Sequence, residues 1–215
     1  MKNIIYPRKN QWSEILKRPT QTVKEIETTV NKIFEDVQSN GDQAVRKYTK
    51  QFDKVSLSSL VVTEDEINTA VQKVSNELKE AIQLAASNIE KFHKAQQSER
   101  VYQETMPGVV CWQEKRPIQK VGLYIPGGTA PLFSTVLMLA IPAKIAGCKE
   151  IILCSPPNKE GEIANEILYA ASLCGITKIY KIGGIQAISG LTFGTETIPK
   201  VYKIFGPGNQ FVTVA

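Results

Sequence analysis

Apolar residues recur at three- and four-residue steps over the first hundred positions and in short unbroken runs over the last hundred. Val23, Ile26, Val30, Ile33, Phe34 and Val37 mark one face of an amphipathic helix. Thr22-Val23-Lys24-Glu25 predicts its capping box, and Asn40-Gly41 its end. Asp42 to about Lys50, carrying Ala44, Val45 and Tyr48, predicts a second, short helix. Thr63-Glu64-Asp65-Glu66 reads as another capping box. The stripe that follows (Ile67, Val71, Val74, Leu78, Ile82, Ala85, Ile89, Phe92) predicts a single long helix packed on a core or a partner subunit. Val101–Thr105 and Val109–Trp112 around Met106-Pro107-Gly108 predict a β-hairpin, with Trp112 expected to pack.

Beyond residue 120 the pattern changes. Of 14 glycines, only Gly41 and Gly108 precede that point, so two differently built regions are expected. Strands are predicted at Val121–Ile125, Ile151–Cys154, Ile179–Ile182 and Val201–Phe205. Helices are predicted from about Pro131 to Ala146, from Glu162 to Cys174, and around Gln186 to Phe193. Pro142 is expected to kink the first of these or to start another helix. Strands alternating with helices imply crossovers and a parallel sheet, with ligands beyond the strands' carboxyl ends. The fold class is therefore α/β: a helical region with a short hairpin over 1–118, then an incomplete Rossmann-like sheet domain over 119–215. Three strand ends carry glycine loops: Pro126-Gly127-Gly128, Gly183-Gly184 and Gly206-Pro207-Gly208. Such loops let backbone N–H groups approach a phosphate, although ligand-free tight turns use the same residues. No strict G-x-G-x-x-G occurs, and no acid stands where a ribose would be read. Tyr124, Gln186 and Asn209 flank the three loops and are the candidate contacts.

Charge and composition narrow the function. Lys+Arg 26 against Asp+Glu 21 gives net +5, interspersed without basic runs, so no nucleic-acid partner is expected. The longest apolar stretch, Val136 to Ala143, is far below the roughly 20 residues of a membrane span, and no membrane partner is expected. Four irregularly spaced cysteines and no secretory leader suggest reduced thiols and a cytoplasmic location. The single histidine, His93, lacks a positioned partner and reads as structural or solvent-facing. Cys148 and Cys154 read as small buried hydrophobes. A thiol enzyme using either one is the least favoured reading.

Several long motifs stand in order: Val121-Gly-Leu-Tyr-Ile-Pro-Gly-Gly-Thr-Ala-Pro-Leu132, Val136 through Cys148, Ile152 to Pro157, Ile182 to Ile188, and Lys203-Ile-Phe-Gly-Pro-Gly-Asn209. In these the chain closely resembles histidinol dehydrogenase, densely from about Arg116 and more weakly before it. The resemblance implies an NAD-dependent oxidation of L-histidinol through the aldehyde to L-histidine by a zinc-containing homodimer. It also implies NAD contacts at Tyr124, Gln186 and Asn209. The family's zinc ligands, Glu-His acid–base pair and substrate serine belong after Gly-Pro-Gly-Asn, so no catalytic or metal residue is assigned here. The chain is thus expected to be the N-terminal part of such an enzyme and inactive alone. The competing reading is a stand-alone nucleotide-binding module or a structural fragment.

Overall fold

A computed structural model describes residues 4–17, 23–128 and 130–215. A 3-10 turn at Lys9–Gln11 and the short α1 (Trp12–Ile15) precede the long α2 (Val23–Phe52). Gly41, at φ 48° and ψ −130°, interrupts α2 where the sequence predicts a stop. The two predicted helices thus run on from one another across that kink. The cap assigned to Thr22 lies outside the described residues. Asp42, at the start of the second half, accepts hydrogen bonds from the hydroxyls of Thr195 and Thr197, tying the kink to a loop 153 to 155 residues away.

The predicted long helix from Thr63 is instead two helices, α3 (Glu64–Lys73) and α4 (Asn76–Lys94). Val74 is extended (φ −72°, ψ 130°), and the Ser75 hydroxyl accepts from the Leu78 N–H at 3.3 Å. A serine free to cap a new helix outcompetes continuation of the old one. The capping box at Thr63 and Glu66 forms as predicted. The stripe fails only at its end, where Phe92 is exposed.

Strands β1 (Tyr102–Met106) and β2 (Val109–Trp112) pair antiparallel. Trp112 does not pack: it is 57% exposed, because a two-stranded ribbon has no further layer to bury it. Next come β3 (Lys120–Tyr124), α5 (Phe133–Ile145), β4 (Glu150–Ser155), α6 (Asn165–Leu173), β5 (Lys178–Lys181), α7 (Gly184–Phe193), β6 (Lys203–Phe205) and α8 (Gln210–Val214). Pro142 is absorbed into the last turn of α5, and no second helix starts there. Helix α6 begins at Asn165, later than the Glu162 expected from its apolar face.

The four later strands form one parallel sheet in the order β5-β4-β3-β6. Alternation along each strand sorts side chains to two faces. Val121, Leu123, Leu153 and Ile179 pack with α3, α4, α5 and α6 on one face. Tyr124, Ile152, Cys154, Tyr180 and Ile182 pack with α2 and α7 on the other. Both clusters draw residues from before and after residue 119. The outer edge of β5 is covered by the 60–62 segment, through Val62 N–H to Ile179 carbonyl and Lys181 N–H to Leu60 carbonyl bonds.

Candidate functional site

Winding sets where the site falls. From β3 the chain steps outward to β4 and then β5, then returns past β3 to lay β6 on its far side. Neighbouring connections therefore diverge between β3 and β6, and a crevice opens at the carboxyl ends of these strands. A cleft of about 890 Å³ lies there, and Tyr124, Gln186 and Asn209 all line it.

Each of the three is held differently. Tyr124, at the end of β3, is buried, and its hydroxyl accepts from the Gly184 N–H at 3.1 Å, joining the ends of β3 and β5. Burial raises its pKa, so the phenol stays protonated and its O–H proton remains a donor. Gln186, in the first turn of α7, is fully buried, with its Oε1 unpartnered and its Nε2 donating to Asp53 at 3.4 Å. Asn209 is exposed and caps α8, its Oδ1 accepting from the Val212 N–H at 3.1 Å. Its amide donors stay available.

Two glycines make this geometry attainable. Gly184 adopts φ 58°, a conformation strained for other residues, and a Cβ there would lie 3.0 Å from Gln186 Oε1. Gly206 passes so close to Tyr124 that a Cβ would strike the tyrosine's carbonyl oxygen. Pro156 and Pro157, following β4, form another wall of the cleft.

Asp53 also lines the cleft, and residue patterning did not single it out. It follows the last residue of α2, and Lys54 beyond it takes φ 61°, turning the chain out of the helix. Burial pushes the Asp53 carboxyl up to about 6. Among the described residues no cation pairs with it. The one local signal was an acid at a helix C-terminus, the unfavourable end of the dipole. Thr29 and Phe52, also from α2, line the same cleft.

The other candidates lie elsewhere. His93 Nδ1 sits 2.7 Å from Gln96 Oε1, beside a separate hollow lined by Met138 and Phe205. Cys154 is buried and its thiol is pushed far up by desolvation. Cys148 is only partly buried, less than expected, and burial raises its thiol as well. Both shifts oppose nucleophilic use, which needs a lowered thiol. Among the described residues no group of three or more His, Cys, Asp or Glu side chains could hold a metal ion. No helix among them is long and apolar enough to cross a membrane.

An open parallel sheet wound both ways from β3, with a polar-floored cleft at its carboxyl edge, defines a doubly wound α/β protein. The family model described as histidinol dehydrogenase matches residues 16–215. Histidinol dehydrogenase of Bacteroides thetaiotaomicron is 59% identical over 215 residues, covering 100% of this chain and 50% of that protein. The Escherichia coli (strain K12) counterpart is 55% identical over 206 residues, covering 95% of this chain and 46% of that protein. A crystal structure of histidinol dehydrogenase from Elizabethkingia anophelis superposes with a TM-score of 0.88 at 55% identity, covering 96% of this chain and 48% of that one. The chain belongs to the histidinol dehydrogenase family and spans about half the length of the curated relatives it matches.

Proposed function

We propose that this chain supplies the dinucleotide-binding part of a cytoplasmic histidinol dehydrogenase, an oxidoreductase of histidine biosynthesis that takes L-histidinol to L-histidine as a homodimer. The observation that carries the reading is the meeting of Tyr124, Gln186 and Asn209 in one cleft, with a buried acceptor on Gln186 left without a donor. A buried amide oxygen without a partner is costly, and a ligand N–H or O–H relieves that cost. These residues fit NAD. Tyr124 offers its O–H, Gln186 its Oε1, and Asn209 its amide N–H. NAD bound there supplies the hydride acceptor for an alcohol and then an aldehyde.

The family's zinc is a different case. The donor sets in the described residues do not fit it, and no step is derived through it. We assign the metal, the acid–base pair and the substrate contacts to the part of the full-length relatives that this chain does not span. On that reading the 215-residue chain binds NAD without turning over histidinol.

Calorimetric titration of the chain with NAD tests this. Saturable binding is expected, weakened about tenfold or more by Tyr124→Ala and less by Asn209→Ala. Absence of saturable binding in the millimolar range would overturn the reading, as would equal binding by the Tyr124→Ala variant.

A further inference from the structure

A four-part polar cluster occupies the floor of the cleft. The Gly184 N–H donates to the Tyr124 hydroxyl, and Gln186 Nε2 donates to Asp53. That pairing orients the Gln186 amide, since reversing it would set Oε1 against a carboxylate. Asp53 and Gln186 both line the cleft, and the carboxylate and the unpartnered Gln186 Oε1 thus offer two acceptors on hydrogen-bonded neighbours. A ribose carries two neighbouring hydroxyl donors, which match such a pair.

Doubly wound nucleotide sites commonly read the adenosine ribose with an acid at the end of the strand beside the glycine loop. In this chain that strand is β4, and it ends in Ser155-Pro156-Pro157 with no acid. Asp53 arrives in that neighbourhood from α2, outside the sheet. The remaining charged side chains lining the cleft are Lys159 and Glu162, on the loop after β4.

Building on the NAD reading above, we propose that Asp53 is a specificity-determining residue. With Gln186 it accepts the hydroxyls of the adenosine ribose, and its negative charge rejects a dinucleotide phosphorylated at the 2′ position. The acid missing from the sheet is supplied by the preceding helical region.

Parallel titrations of the chain with NAD and NADP near pH 8 test this, on wild type, Asp53→Asn and Asp53→Glu. Wild type should favour NAD by about tenfold or more, since a like charge facing a phosphate disfavours the wrong partner. Asp53→Asn should bring the two affinities within about threefold, by weakening NAD and strengthening NADP. Asp53→Glu should keep most of the preference, and far-UV circular dichroism reports whether each variant is folded. An unchanged NAD-to-NADP ratio in folded Asp53→Asn, with NAD still bound by wild type, would overturn the role of Asp53 and leave the cofactor reading standing. Equal weakening of both dinucleotides would do the same. If wild type binds neither, the cofactor reading falls and this assignment with it.

Discussion

Asp53 and Gly206 show how single side chains set the properties of the cleft. The Asp53 carboxyl titrates at about 6 in the folded chain against an ordinary 3.8, because burial disfavours its charged form. The folded state therefore holds this proton more tightly than the unfolded state does. The ionised carboxylate is a standing cost above about pH 6, relieved as the pH falls from there towards 4. Asp53→Asn is thus expected to stabilise the chain near pH 8 by on the order of 1 kcal/mol after solvent screening. That gain shrinks as the pH falls through about 6 and is lost only below the ordinary value of 3.8, so that it is absent at about pH 3. Urea unfolding of both proteins at the two pH values measures this, and equal gains at both would contradict it. Gly206 is constrained by contact alone. A methyl there must displace the Tyr124 backbone, so Gly206→Ala should cost about 1–3 kcal/mol in denaturant unfolding. Tyr124, Gln186 and Asn209 were legible from residue order because each stands beside a glycine loop at a strand end. Asp53 was not, since its partner Gln186 is 133 positions away.

At the scale of elements, caps and breakers governed the outcome more than stripes did. The Thr63 capping box forms with both reciprocal bonds, and Thr63→Ala is expected to lower stability by about 1 kcal/mol, measured by urea unfolding. The unbroken stripe from Ile67 to Phe92 could not reveal the break at Val74 and Ser75. Apolar residues on both sides of the break still face the same core, so a change of axis leaves no mark on the pattern. The β1–β2 hairpin was recognised from its turn residues, but its exposure was not. Strand propensity reports a fit to pairing and is silent on what covers the ribbon. All four parallel strands were legible because each is a short apolar run closed by glycine or proline.

For the molecule as a whole, burial partitions the thiols. Cys111 is exposed, Cys148 partly buried, and Cys154 and Cys174 buried, with desolvation raising Cys174 to about 11. Labelling of the native chain with an aromatic disulfide reagent should therefore modify Cys111 first. Cys154 and Cys174 should react only at the rate of unfolding, and rapid native labelling of Cys154 would contradict the packing of β4 against α2 and α7. Those layers also position the site, since α2 covers one face of the sheet and brings Thr29, Phe52 and, just past its end, Asp53 to the cleft.

Local residue order decided the helices with strong caps, the four strands, the glycine loops and three of the cleft's polar residues. Those features depend on interactions between residues a few positions apart, so their signals are written in short spacings. The strand order β5-β4-β3-β6, the side of the sheet that α2 covers and the arrival of Asp53 beside Gln186 came only with the folded chain. They depend on which apolar faces bury one another across the whole molecule, and no short spacing carries that information.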